Sequence, residues 1–362
     1  MVQSKPHVYV IAEAGVNHNG SLDLARQLID AAVESGADAV KFQTFKAAGI
    51  VTRSASKADY QSEQTDAAES QIQMLQRLEL SDEAHAELIP YAASKGIQFL
   101  STAFDFDSLK LLANRFDLPR LKIPSGEMTN APLILQHART GKPLIVSTGI
   151  CTIDEIQTVL GVIAFGYLNL DHPSLDAFQA AFESSEGQAL LKERVTLLHC
   201  TTEYPTPYSE INLKAMDAIQ DAFGLEVGLS DHSQGINMAI AAAARGATMI
   251  EKHFTLSREL PGPDHQASLE PQELQAMVIG IRQVEEALGR QAKEPTASEL
   301  KNRDIVRKSL VAACRIKAGE VFTAENLAIK RPGTGISPLA YWSVIGNVAD
   351  RDYSEDELIQ EV

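Results

Sequence analysis

The sequence predicts an α/β fold: a closed (β/α)8 barrel followed by a small C-terminal module. Three observations carry that reading. Eight short runs of apolar and β-branched residues alternate with amphipathic helical stretches between residues 7 and 288. Gly36, Gly96, Gly141, Gly224 and Gly246 each stand between a helical stretch and the next strand run, where helices commonly end in a left-handed residue. No Gly-x-Gly-x-x-Gly follows the first strand run, and an open doubly wound sheet rarely repeats eight such regular units, so closure is expected.

In chain order the strand runs are 7–13, 38–44, 97–102, 120–125, 144–148, 195–201, 225–230 and 248–253. Helical patterns fill the gaps at 21–35, 81–95, 107–115, 132–140, 153–165, 212–223, 235–245 and 271–288. Ser21 and Ser81 are placed as N-caps, the second followed directly by acidic residues. Two segments break the rhythm. Residues 47–80 form a polar, Gln-rich excursion after the second strand, with a helical pattern around 71–78. A βα connection lies on the barrel face where active sites form, so this one is expected to be a lid or wall. Residues 169–194 precede a strand and are expected on the opposite face, away from chemistry. The barrel is thus expected over 1–288. Residues 289–304 have linker composition. Residues 305–362 read as a separate module, with a strand at 309–316, a turn at 317–320 and a Gly/Pro loop at 331–338. The module is too short for a large core and is expected to lean on a partner surface.

Composition narrows the function classes. The 362 residues carry 32 basic and 48 acidic side chains, a net charge of −16. That argues against a nucleic-acid partner, although a few concentrated cations would still hold a small anion. Apolar residues at 44% and charged residues at 22% are near the globular average, which excludes a disordered chain. Residues 235–250, the longest quiet stretch, are too few to span a bilayer and are broken by Arg245, so no membrane association is expected. Met1 leads into an apolar run without a signal-peptide cleavage pattern, and Cys151, Cys200 and Cys314 make no CxxC pair. A reducing cytoplasm is the expected location.

All eight strand ends are polar, and in a barrel those ends carry the chemistry. They supply Glu13 with Asn17, His18 and Asn19; Lys41 and Gln43; Thr102; Lys122, Ser125 and Glu127; Ser147; His199 through Tyr204; Ser230, Asp231 and His232; and Glu251, Lys252 and His253. Strand alternation puts Ser230 with His232 on one face, and Glu251 with His253 on one face opposite Lys252. The last two strands are neighbours in a barrel, so His232 and His253 converge at the rim. Two imidazoles near carboxylates suit a divalent ion with open positions, such as Mn²⁺, Fe²⁺, Co²⁺ or Zn²⁺; two rim histidines bonded to acids are the alternative. Lys41 and Lys122 suit a phosphate or carboxylate, with Ser125, Ser147 and Ser230 as hydroxyl donors. Their alternatives are snorkelling to solvent and a Schiff base. His199 and Cys200 point to opposite faces and make a poor dyad, so Cys200 reads as a core thiol. Asn17, His18 and Asn19 are either ligands or a turn opening the first helix.

These segments resemble the sialic acid synthases (N-acetylneuraminate synthases) and their close relatives. The resemblance rests on residues 11–20 (IAEAGVNHNG), 40–46 (VKFQTFK), 121–127 (LKIPSGE), 146–149 (VSTG), 198–207 (LHCTTEYPTP), 228–232 (GLSDH), 250–254 (IEKHF), 262–264 (GPD) and 330–335 (KRPGTG). It spans nearly the whole chain in order, and the last segment falls in a module that resembles the antifreeze-like SAF domain. The resemblance implies condensation of phosphoenolpyruvate with N-acetylmannosamine and water to give N-acetylneuraminate and phosphate. It implies a divalent metal, Mn²⁺ first with Mg²⁺ or Co²⁺ as alternatives, on His232 and His253. Phosphoenolpyruvate contacts carry over to Lys41, Thr102, Lys122, Ser125, Ser147 and Ser230, and sugar contacts to Gln43, Tyr204 and Asp264. Glu13 and Glu127 carry over as acid/base candidates. Arg331 matches an arginine that crosses to the other subunit's acyl-amino group, which implies a domain-swapped homodimer. Thr202 stands where some members carry Asn, so no phosphate contact is implied there. The rival readings are an N,N'-diacetyllegionaminate or, less favoured, pseudaminate synthase acting on a diacetamido-trideoxy hexose. Outside that chemistry stand a Schiff-base pyruvate aldolase and a non-catalytic carbohydrate- or ice-binding protein.

Overall fold

The structure is a computed structural model that describes residues 7–57, 65 and 69–360. The chain separates into two compact units, Met1–Gly289 and Arg290–Val362.

In the first unit β1 (Tyr9–Gly15), β2 (Ala39–Thr44), β3 (Gln98–Ala103), β4 (Leu121–Ile123), β5 (Leu144–Ser147), β6 (Val195–His199), β7 (Glu226–Asp231) and β8 (Met249–His253) close in sequence order, with β8 parallel to β1. Each expected strand run is a strand. β4 is the shortest, because Pro124 has no amide hydrogen to continue the ladder and Ser125–Glu127 turns at once into a 3-10 helix. Inside the barrel, Ile11, Ala39, Leu100, Ile145 and Met249 form an apolar plug. Two residues further along the same strands come Glu13, Lys41, Thr102, Ser147 and Glu251. Period two therefore stacks a polar layer on the plug, facing the open end of the barrel. The alternate residues, among them Val10, Val40, Phe42, Phe99, Leu197 and Ile250, pack outward against the helices.

The described part of the excursion after β2 forms a wall of the cavity through residues such as Ile50, Val51, Met74 and Leu75; residues 58–64 and 66–68 lie outside the described residues. Ser70 and Gln73 make a capping box that starts the helix Gln71–Leu78. That helix buries Met74 and Leu78 against Val16 and Phe45. Residues 169–194 hold two helices, Leu175–Glu183 and Ser185–Arg194, which pack on the helix Ile153–Tyr167. There Gly161 lies against Phe178, where a Cβ would come within 2.7 Å of its carbonyl oxygen.

In the second unit β9 (Ser309–Ala312) pairs antiparallel with β10 (Leu327–Lys330), over a core that includes Leu310, Ile316, Phe322, Tyr353 and Ile359. The expected strand 309–316 stops at Ala312. Of the stretch expected as a linker, residues 290–304 fall in this unit and hold most of the helix Ala297–Val306. Its cause is a capping box, Thr296 with Glu299, which a reading by polar composition passes over.

On the outer side of β7 and β8, Lys252 donates to Asp231 Oδ2 at 2.8 Å and to the Ser233 carbonyl, while Ser233 donates from its backbone and hydroxyl to Asp231 Oδ1. Both charged side chains are about 1% exposed. This clasp ties the strands that carry His232 and His253. Asp231→Ala leaves an ammonium buried without a counter-ion, and urea denaturation is expected to show a loss of about 3–5 kcal/mol. Asp231→Asn, which keeps an acceptor for Lys252, is expected to lose less.

Candidate active site

Parallel register brings the polar layer to one level: Glu13 lies beside Lys41 and His253, Thr102 beside Lys122, and Ser230 beside Glu251. The floor of the cavity is an ionic lattice. Lys41 Nζ is 2.8 Å from Glu13 Oε2 and 3.6 Å from Glu251 Oε2, and donates to Thr102 Oγ1 at 3.0 Å. Lys122 Nζ is 3.5 Å from Glu251 Oε1 and donates to Ser147 Oγ at 2.7 Å. Ser230 donates to Glu251 Oε1 at 2.9 Å.

The two carboxyls differ in state. Burial pushes Glu13 up to about 7, against the pull of Lys41 and with help from the negative charge of Glu251. Burial acts the same way on Glu251, but Lys122, Lys41 and the Ser230 hydroxyl outweigh it and hold this carboxyl below its ordinary range. Lys41 shifts up: burial opposes its charge, and Glu13 and Glu251 overcome that. Lys122 shifts down because burial exceeds its attraction to Glu251. With Glu13 protonated the floor carries an excess of positive charge, as an anion site in an acidic protein needs.

Beside Lys122, the Gly149 amide donates to Ser125 Oγ at 2.9 Å, and Ser125 Oγ lies 3.0 Å from Cys200 Sγ. A Cβ on Gly149 would sit 2.4 Å from Thr202 Oγ1 and 2.8 Å from Ser125 Oγ, so only glycine lets these groups crowd together. Cys200, expected as a core thiol, is buried but lines the cavity.

His232 and His253 face each other across the rim with ring centroids 5.7 Å apart. His232 Nδ1 is 2.7 Å from the Thr201 carbonyl, which makes that nitrogen the donor. Nε2 is then the lone-pair side, 3.2 Å from Ser230 Oγ and 3.3 Å from the Tyr204 hydroxyl. His253 Nδ1 is buried without a hydrogen-bond partner. Burial lowers His232 to about 4 and, with the neighbouring His232 and Lys41, lowers His253 well below its ordinary value. Neutral imidazoles with lone pairs to offer are the form a divalent ion takes, so the pair fits a metal. Among the described residues no group of three or more His, Cys, Asp or Glu side chains is arranged to hold one; His232 and His253 are the pair that would hold it.

Tyr204 stacks on His232 at 4.2 Å. Gln43 reaches towards Glu13 at 3.4 Å, and Asp264 enters from the loop after β8, its carboxyl raised to about 6 by burial. Towards the mouth the wall is mostly apolar, with Phe45, Ile50, Val51, Met74, Leu75 and Leu78 beside the polar Gln71.

Of the expected site residues, Glu13, Lys41, Gln43, Thr102, Lys122, Ser125, Ser147, Tyr204, Ser230, His232, His253 and Asp264 line this one cavity. Glu127 does not line it; its carboxylate accepts from Asn130 Nδ2 at 2.7 Å, in the turn that opens the helix Ala131–Arg139. Arg331 belongs to the second unit, where its Nε donates to the Val306 carbonyl at 3.2 Å. Glu251 was the omission among the expected residues. The signal for it was present, because it shares the inner face of β8 with His253.

Comparison with known proteins identifies the family. Residues 28–293 match the NeuB family and residues 307–362 the SAF domain. The chain is 49% identical over 352 residues to the N,N'-diacetyllegionaminic acid synthase of Campylobacter jejuni, covering 97% of this chain and 98% of that protein. It is 44% identical to the N,N'-diacetyllegionaminic acid synthase of Legionella pneumophila, covering 94% and 89% respectively. The solved structure of N-acetylneuraminic acid synthetase from Leptospira borgpetersenii, in complex with citrate, superposes with a TM-score of 0.66 at 30% identity, covering 82% of this chain and 90% of that one. The barrel, its polar layer and these matches agree: the chain belongs to the NeuB family of sialic-acid-type synthases and ends in a SAF domain.

Proposed function

We propose that the protein condenses phosphoenolpyruvate with the aldehyde of a diacetamido-trideoxy hexose to give an N,N'-diacetyllegionaminate-type acid and phosphate. The same chemistry on N-acetylmannosamine, giving N-acetylneuraminate, is the second reading. The observation that carries the reaction class is the cationic floor of Lys41 and Lys122 beside a neutral two-histidine rim. The choice of sugar is supported by the relatives at 49% and 44% identity, and by the mostly apolar mouth. A hydroxyl turned to Ile50, Val51 or Leu75 finds no hydrogen-bond partner among them, whereas a deoxy carbon or an acetamido methyl loses nothing there.

In this reading Lys41 and Lys122 balance the phosphate and carboxylate, and the hydroxyls of Thr102, Ser125, Ser147 and Ser230 orient them. The methylene carbon of phosphoenolpyruvate bonds to the aldehyde carbon, whose oxygen gains a proton. Water adds to the former enol carbon, and the resulting hemiketal phosphate breaks its C–O bond to release phosphate. Glu13, in its ionised form, takes the proton of that water, and Lys41 beside it stabilises the carboxylate before the transfer. Glu127, whose carboxylate accepts from Asn130 next to the cavity-lining Ser125 and Gly126, is the second candidate for this proton. His232 and His253 would hold a divalent ion, Mn²⁺ first with Mg²⁺ or Co²⁺ admitted, which when bound polarises the aldehyde carbonyl. Gln43, Tyr204 and Asp264 hold the sugar. The active unit is a domain-swapped homodimer in which the partner subunit's Arg331 reaches the acyl-amino group. Leu339 and Trp342, 91% and 81% exposed on the SAF unit, support such an interface.

Phosphate release from phosphoenolpyruvate is expected only when an aldehyde sugar is present, with kcat/KM for the diacetamido sugar about tenfold or more above that for N-acetylmannosamine. The reverse order would restore the second reading, and no release with any hexosamine would refute both. Trapping a pyruvate adduct on Lys122 or Lys41 with borohydride would instead establish a Schiff-base enzyme.

Glu13 must be ionised to accept a proton, and its value is raised to about 7. Activity should therefore climb as pH rises through about 7 and level off above it. Glu13→Gln should flatten that limb and slow turnover about 10²–10⁴-fold. An unchanged pH profile in that variant would remove Glu13 from the proton transfer.

His232→Ala and His253→Ala should each weaken Mn²⁺ binding, measured by calorimetry, by more than tenfold while the circular dichroism spectrum stays native. Retained Mn²⁺ affinity would place the metal elsewhere.

A further inference from the structure

The turn after β1 was legible as either a set of ligands or a simple helix entry. In the structure it does neither alone. Asn17 is 1% exposed, and its Nδ2 donates to the Phe254 carbonyl at 2.8 Å and to Ser268 Oγ at 2.9 Å. Ser268 in turn donates to the Asp264 carbonyl at 2.6 Å. Asn19 Nδ2 lies 3.1 Å from His265 Nε2, His265 Nδ1 lies 2.7 Å from Thr255 Oγ1, and the Thr255 hydroxyl donates to the Ser257 carbonyl. His265 Nε2 also lies 3.3 Å from Asn19 Oδ1, so the imidazole forms a relay from Thr255 on one side to the Asn19 amide on the other.

Two side chains one residue apart on either side of His18 thus grip the loop 255–268 at both ends. Between the grips stand Pro263 and Asp264, which line the cavity. Packing closes the arrangement. Gly262 has φ +152°, and a Cβ there would fall 2.7 Å from the His265 ring and 2.8 Å from Asn19 Oδ1. Asn19 itself has φ +50°, a left-handed conformation that asparagine tolerates better than most residues. On its other side the same turn abuts the mouth wall: a Cβ on Gly20 would lie 2.4 Å from the Arg77 carbonyl, and Val16 packs with Met74 and Leu78.

We propose that Asn17 and Asn19 are positioning residues that clamp the loop 255–268, so that Asp264 stands in the acceptor-sugar half of the cavity. This rests on the proposed reading only in assigning Asp264 to the sugar. The clamp itself rests on the hydrogen bonds above. Neither asparagine touches a substrate in this assignment, and both act through Asp264.

The test uses the full-length protein and two readouts. Asn19→Gly removes the amide from the relay while leaving a residue that accepts positive φ without strain, and Asn17→Ala removes the other grip. Ser268→Ala, a smaller change that removes an acceptor of Asn17, guards against a variant that simply fails to fold. Hydrogen–deuterium exchange in the 255–268 peptide should accelerate at least tenfold in Asn17→Ala and Asn19→Gly, with the β2 peptide 39–44 unchanged. Steady-state kinetics should show the acceptor-sugar KM rising about tenfold or more with the phosphoenolpyruvate KM unmoved. The effect should vanish when Asn19→Gly is placed on Asp264→Asn, because residues acting as one unit are not additive. Unchanged exchange in the loop would overturn the clamp. So would equal rises in both KM values, or full additivity with Asp264→Asn. If the wild-type protein used no aldehyde sugar at all, the proposed reaction would fail, and the exchange experiment would still decide the clamp.

Discussion

The site depends on a single electrostatic constraint: two ammonium groups lie almost fully out of water at the open end of a barrel plug. An unpaired lysine at that depth would surrender its proton or unfold its surroundings. Lys41 stays charged because Glu13 and Glu251 flank it, and Lys122 is held by Glu251 and Ser147. Each carboxylate is in turn a buried charge that needs these lysines. The partners sit on β1, β2, β4 and β8, which are far apart in sequence and share a level only through the barrel register. Fold and charge balance are therefore one requirement. A strand slipped by a residue would turn its member of the lattice outward and leave the others without a counter-ion.

The lattice also resolves how an acidic chain handles anions. Net charge acts at long range and is screened within roughly 8–10 Å at physiological salt. Groups at the bottom of a cavity see their immediate neighbours instead. With Glu13 protonated, Lys41 and Lys122 outnumber the Glu251 carboxylate, so the local sign opposes that of the whole molecule. The upper half of the cavity follows a different chemistry, with the helix Gln71–Leu78 offering hydrocarbon where the floor offers charge.

Much of this was legible in the amino-acid sequence, for a physical reason. Barrel strands declare themselves through short apolar runs, and the residue at which each run turns polar marks the catalytic level. Lys41, Lys122, His232 and His253 could all be placed that way. Glu251 could be placed on the inner face of β8 with His253 but was given no role, because which lysines its carboxylate meets depends on neighbours across the barrel. Glu127 follows Ser125 and Gly126, which line the cavity, but in the 3-10 turn after the short β4 its carboxylate turns to Asn130, a contact that strand alternation does not foretell. The helix Ala297–Val306 was hidden by its polar surface, since a helix without an apolar stripe has only its capping residues to announce it. The grip of Asn17 and Asn19 on a loop some 240 positions later was beyond local pattern altogether.

The two-tier interior has a bearing on how such proteins diversify. Ile11, Ala39, Leu100, Ile145 and Met249 secure folding from beneath, while the tier that meets reactants rests on them through backbone spacing alone. Exchanges confined to the upper tier or its fringe leave the lower one intact. A lineage is thereby free to try new acceptors through point changes without first having to rebuild the architecture that presents them.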